Sequence, residues 1–453
     1  MRLNLPTLIT DSDTRATLLY TLAYLFLFRM GLHVLLPVIA PEFVYSNISG
    51  SVDPFFEQME AEPFWLTDIS LFSILALGIG PYYLATWLTP LLVHFFRGDS
   101  LPEMKRAQLN LRWTRILTVL IASVQAISYT QTAIIYYGEG ASSFSFVSTW
   151  LLLILGAVLC MWMAERISAR GLMDGRALLL TADLIFFLPI AFVREIGEKL
   201  EPQHLLNLGL EVFCWLLLLI GILALTQAAR QIPVEIKEKE SGSSREGTLL
   251  IPFSIVDEYP LALGASILVA PVFFFSMVEM VSHLIFKAGD MEYPVWLELL
   301  DNPFSVAYWL LLVPAVIMGT HWLVNVLVKP KHYTDALQLY GATLKGVEPG
   351  EATTAYLRKV IRQMTLPLSI CLALISVLPS VLIVLFEVTP LFHNYFDGFY
   401  LFLIVSLITD FIARWKQGWF AHPSAETPVL GRSRPVNIVE APEVLLLLES
   451  EEE

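Results

Sequence analysis

Ten stretches of this chain, 17 to 28 residues long, are mostly apolar, around the roughly 20 residues a helix needs to cross a bilayer. They fall at 18–39, 70–95, 114–135, 145–165, 176–193, 208–227, 259–286, 304–328, 363–387 and 398–414. In lipid a spanning backbone must satisfy its own hydrogen bonds, so each run predicts a helix. Composition agrees: 56% of the 453 residues are hydrophobic and 15% charged, against roughly 25% charged in a soluble domain. The expected fold class is all-α, a polytopic membrane protein with ten transmembrane helices. The first run carries Arg29 and lacks a small-residue cleavage pattern after it, so it reads as a retained span.

Charge placement orients the spans. With the N-terminus inside, cytoplasmic segments carry 24 of the 28 Lys and Arg residues. The external side holds only Arg194, Lys199 and Lys287. That bias places both termini in the cytoplasm. Ten spans divide into two five-helix halves, and an odd number per half permits inverted pseudo-symmetry. The expected organisation is an N-terminal half, 1–193, and a C-terminal half, 194–414, with cytoplasmic loops 228–258 and 329–362. An acidic cytoplasmic tail, 415–453, is expected to be disordered. Loop 228–258 holds the flexible, charged run EIKEKESGSSREG, whereas 329–362 is basic and partly helical in pattern. The external segment 40–69 sets Phe55, Phe56, Phe64 and Trp65 among acids, and reads either as a re-entrant segment or as an interfacial loop. Gly78, Gly80, Pro81, Pro260, Gly264, Pro271, Pro314, Pro367 and Pro379 interrupt spans, either as kinks or as half-helices lining a water-filled path.

Little in the chain suggests catalysis. The formal charge of −14 argues against nucleic acid as a direct partner. Cys160, Cys214 and Cys371 lie in apolar runs without ligand spacing, which excludes a disulfide framework or zinc site. The eight histidines form no HExxH, and neither GxSxG nor a phosphate-binding GxxxxGK[ST] loop occurs. No metal, cofactor or catalytic residue is expected. One reading of such a chain is a small-solute secondary transporter with inverted repeats, for which Asp183 and Glu279 are the best intramembrane candidates.

Ser73-Ile-Leu-Ala-Leu-Gly-Ile-Gly-Pro-Tyr82 resembles the SIFALGIxPYI segment of the SecY family, the central channel subunits of the Sec protein translocase. Six further likenesses follow in chain order. They are Arg29-Met-Gly31 with Pro37; Arg115 and Gln125; Trp162-Met-Ala-Glu-Arg-Ile-Ser-Ala-Arg-Gly171 with Gly175; Gln227-Ala-Ala-Arg-Gln-Ile-Pro-Val234; Pro330 to Gly341 with Gly346-Val-Glu-Pro-Gly350, Thr354, Tyr356-Leu357 and Thr365-Leu366; and Phe396-Asp-Gly398 through Asp410. The chain is identified on these as a divergent member or specialised paralogue.

The resemblance implies a passive channel that passes unfolded secretory polypeptides and releases hydrophobic segments sideways into lipid. Its pore ring would fall on Ile79 and Tyr83, Arg176 and Leu180, Ala262 or Gly264, and Leu403. A narrow apolar collar of this kind dewets and blocks ions. The lateral gate would open between spans two–three and seven–eight, with Gln125 at the gate. A plug is expected at about 53–70. Arg230, Lys345, Glu348, Arg358 and Lys359 would face a SecA-type motor or a ribosome. SecE-type and SecG-type small subunits are the implied membrane partners, and secretory preproteins and membrane lipids the implied cargo and surroundings. The implied location is the cell inner (plasma) membrane, multi-pass, with a plastid thylakoid as the alternative. Three departures stand out. Tyr83 and Arg176 replace isoleucines, with Arg176 expected either to snorkel one turn toward the cytoplasm or to line a wetter pore and Asp174 nearby as a possible ion partner. Glu348 replaces an arginine, which puts motor coupling in doubt. Glu62-Pro-Phe-Trp-Leu-Thr-Asp68 replaces the plug's glycine pair.

Overall fold

The computed structural model describes residues 12–38, 73–97, 103–137, 143–182, 196–197, 199, 205–237, 244–282, 294–339, 341–388, 397–416 and 437–440. The expected plug at 53–70, most of the span at 176–193, Asp183 and most of the tail lie outside them. The described chain is mostly helical. Helix α1 is Ser12–Gly31, α2 Gly80–Arg97, α3 Glu103–Tyr137, α4 Ser143–Arg170 and α5 175–182. Beyond these come α6 Leu205–Gln227, α7 Tyr259–Val281, α8 Val295–Asp301, α9 Val306–Leu327, α10 Pro330–Leu339, α11 Glu351–Phe386 and α12 Gly398–Lys416. Four helices, drawn from α4, α6, α9 and α11, are long and apolar enough to cross a membrane among the described residues. Their outer faces expose Leu155, Leu217, Ile220, Leu310, Met318 and Leu385. Lipid supplies the apolar surroundings that water would not.

The expected span at 70–95 is corrected: its helix begins only at Gly80. Residues 74–79 form turns, closed by Gly78 N–H donating to the Leu75 carbonyl at 2.7 Å. Gly78 has φ +53°, a conformation that ends a helix and favours glycine. Pro81 then sits at the second helical position, where its missing N–H costs nothing. Ser73 bridges to Leu35, and Ile74 N–H donates to the Val34 carbonyl at 2.9 Å, tying the segment to the end of α1. By contrast, Pro271, Pro314, Pro367 and Pro379 lie inside continuous helices.

Segments 228–258 and 329–362 are more ordered than their charge suggests. In place of a flexible loop, β1 (Ala229–Lys237) and β2 (Ser244–Pro252) pair antiparallel, with Ile232 opposite Leu249 and Val234 opposite Gly247. β3 (Ala342–Leu344) joins β1, and β4 (Asn437–Glu440) joins β2, giving the order β3-β1-β2-β4. Four residues of the expected disordered tail therefore form a strand. Alternation explains the sheet: Ile232, Val234, Leu249 and Ile251 point inward while Gln231 and Pro233 face out. The buried face packs with Tyr333 and Leu337 of α10 and Leu357, Val360 and Ile361 of α11 in one apolar cluster. Because α11 runs on as a 36-residue helix, of about 54 Å at 1.5 Å per residue, the sheet is fixed to a membrane-crossing rod.

Candidate functional site

Helix α2 is a wall between two apolar clusters. Tyr83, Trp87 and Leu91 recur every four residues, a spacing that puts them on one face. That face is buried in the cluster formed by α6, α7, α9, α11, α12 and the sheet. Ile79 and Tyr82 turn the other way, into a cluster with Phe28 of α1 and Leu32 just past it, Met163 and Ile167 of α4, Leu178 and Leu179 of α5, and Leu407 of α12. Leu180 is half-buried and packs against both clusters. Leu403 on α12 is 2% exposed and Ile79 also 2%. Ala262 is half-buried, and Gly264 lets α7 come close to Val316 of α9.

Polar groups cross this wall. The Tyr83 hydroxyl donates to Glu258 Oε1 at 3.0 Å, over 175 residues of chain. Its ring meets Phe399 of α12 edge-on at 5.6 Å and 72°. Further along α2, Phe95 lies 6.3 Å from Trp322 of α9. Glu258 is the last residue before α7, and burial, then the Asp257 carboxylate, pushes its carboxyl up to about 7. Arg176 does not reach for solvent: its side chain is 14% exposed and grips Asp174. Arg176 Nε donates to Asp174 Oδ1 at 3.1 Å and Nη2 to Oδ2 at 2.5 Å. Ser168 supports the pair, donating to Asp174 Oδ1 at 3.3 Å and accepting from Gly175 N–H at 2.8 Å. Arg176 Nη1 and the Tyr82 hydroxyl are buried without hydrogen-bond partners among the described residues.

The remaining sequence-predicted positions are spread more widely. Gln125 is half-buried on α3 and takes no part in the Tyr83–Glu258 contact. Arg115, on the same helix, forms a bidentate pair with Glu165 of α4, at 2.9 and 2.7 Å. Arg230, Lys345, Glu348, Arg358 and Lys359 are all exposed, on the sheet, on the turn after β3 and on the first turns of α11. Lys345 N–H reaches the Pro233 carbonyl at 3.4 Å, so segments 228–258 and 329–362 meet in one surface. Glu348 precedes α11 and accepts a 2.8 Å bond from Thr353 Oγ1 on its carbonyl. A negative charge there suits the positive end of the helix. Sequence reasoning missed Glu258 and Phe399. An acid set immediately before a span was the available signal for the first.

The SecY family model matches residues 73–412. The protein translocase subunit SecY of Lactococcus lactis subsp. cremoris is 25% identical over 391 residues, covering 81% of this chain and 85% of its own. That of Aquifex aeolicus is 24% identical over 432 residues, covering 88% and 92%. Among solved structures, a protein-conducting channel superposes with TM-score 0.63 at 15% identity, over 90% of this chain and 94% of that one. Sec61 in the canine ribosome–channel complex of the endoplasmic reticulum gives 0.59 at 14% identity, over 90% and 94%. At such identities the structural likeness carries the fold. The family match carries more, because it runs from the broken segment ahead of α2 into α12, and on it the chain belongs to the SecY family.

Proposed function

We propose that this chain is the channel subunit of a protein translocase, passing unfolded polypeptides through the membrane and releasing hydrophobic segments into lipid. The carrying observation is the family match across 73–412, joined to a fold in which α2 presents one face to each of two apolar clusters. In this reading the chain has ten spans in two halves, 1–193 and 194–414, with inverted pseudo-symmetry and cytoplasmic termini. A plug at about 53–70 and an acidic tail, 415–453, complete the reading.

Ile79, Tyr83, Leu180 and Leu403 form the pore ring in this reading. Three are apolar and two are nearly inaccessible, which suits a dewetted barrier. Gln125 lies at a lateral gate whose moving contacts include Tyr83–Glu258 and Phe95–Trp322. The chain itself catalyses nothing, so energy comes from a partner. Arg230, Lys345, Arg358 and Lys359 offer positive charge to a ribosome, and two neighbouring folds belong to ribosome-bound channels. Glu348 weakens docking of an acidic motor of the SecA type while stabilising the start of α11. SecE-type and SecG-type subunits and the cell inner membrane complete the assembly.

Proteoliposomes carrying the complex should shelter a secretory polypeptide from added protease when the motor or ribosome is supplied. Solute uptake without any polypeptide protection would favour the transporter reading instead.

A further inference from the structure

Three local features converge on Glu258. It caps α7 by position, yet its side chain makes no capping bond to that helix. The carboxylate instead crosses to the Tyr83 hydroxyl at 3.0 Å. The residue before it, Asp257, has φ +48°, in the left-handed region that non-glycine residues adopt at a cost. Strained backbone of this kind persists where the surroundings over-determine it. Here it lies directly before the carboxylate that joins α7 to α2. Tyr83 is equally constrained: its amide donates to the Ile79 carbonyl at 2.9 Å, and its ring is wedged against Phe399. One side chain thus meets α7 and α12 while its helix belongs to the other half.

We propose that the Tyr83–Glu258 hydrogen bond is a latch that holds the closed channel shut, in a chain whose collar is less apolar than a hydrophobic ring requires. This rests on the channel reading above. A collar of aliphatic side chains closes by packing and dewetting. Tyr83 brings a hydroxyl into that collar, and a buried hydroxyl needs a partner. Glu258 is that partner, so closing makes the bond, and α2 separates from α7 only by breaking it. An entering hydrophobic segment opens the channel by wedging Tyr83 away from Glu258 and Phe399.

The test is resting ion conductance of the intact complex in planar bilayers. Tyr83→Phe keeps the ring and removes only the hydroxyl; Glu258→Ala removes the acceptor, and Glu258→Gln keeps one. Tyr83→Phe and Glu258→Ala should each raise resting conductance about tenfold, the scale of one lost hydrogen bond. The double variant should rise no further than either single one, and Glu258→Gln should stay close to wild type. Since Tyr83→Phe is nearly isosteric, it remains informative where Glu258→Ala misfolds. Unchanged conductance in Tyr83→Phe, or additive effects in the double variant, overturns the latch. If the wild-type complex conducts with a stalled polypeptide engaged but Tyr83→Phe leaves the resting state unchanged, the latch alone fails. If the wild type never conducts with a chain engaged, the channel reading fails and the latch with it.

Discussion

Gly156→Val should leave little folded protein in the membrane. Gly156 lies in α4 where a Cβ would overlap the Ile74 carbonyl, with Leu75 behind it. A carbonyl is backbone and cannot swing aside as the end of a flexible side chain can. Inserting a branched side chain there forces 73–79 away from α4, at a cost of about 3 kcal/mol or more. The same segment is pinned to α1 through Ile74 and Val34 and leads directly into α2, so the displacement reaches the shared wall. Gly209→Val is the control, because nothing lies within 4 Å of a Cβ there. Steady-state abundance and monodispersity in detergent should collapse for the first variant and hold for the second. Normal abundance of Gly156→Val would mean that 73–79 does not pack on α4 as described.

Asp174→Ala is the second large effect. It strips Arg176 of both its bidentate bonds while the guanidinium stays 14% exposed, with Nη1 already unpartnered. Removing one member of a buried pair leaves an uncompensated charge, and the loss here should be about 3 kcal/mol. Replacing both members by apolar groups avoids that cost, so Asp174→Ala/Arg176→Leu should recover most of the stability. Heating followed by size-exclusion chromatography reads the difference. The single variant should aggregate several degrees below wild type, and the double variant close to it. A double variant worse than the single would show that Arg176 contributes through something other than Asp174.

Hydrophobic runs alone make most of the helices legible. The resemblance also brings Ile79, Tyr83, Arg176 and Leu180 to one region by register. What a hydropathy window does not see is local backbone. It counts 70–95 as one span, although Gly78-Ile-Gly-Pro81 carries both a φ-positive glycine and a helix-starting proline. It starts the ninth span at 363, whereas α11 extends back to Glu351 because polar residues on an exposed face do not stop a helix. The hairpin is masked by composition. The charges of EIKEKESGSSREG obscure the alternation Ile232, Val234, Ile236 and the apolar run at 249–251. Glu258 is hidden for a different reason. Its partner Tyr83 lies 175 residues away, and no local pattern announces a contact between elements so distant in the chain.

The central claim is that a polypeptide passes beside Ile79 and Leu180. Cys160, Cys214 and Cys371 form no disulfide among the described residues, so they are replaced first. A single cysteine is then placed at Ile79 or Leu180, with Leu217, an exposed apolar residue of α6, as a lipid-facing control. A secretory polypeptide bearing its own cysteine is stalled in mid-passage and oxidised. Disulfides from both wall positions and none from Leu217 are the expected result. A stalled chain that expresses and targets normally yet crosslinks at neither wall position would contradict the account.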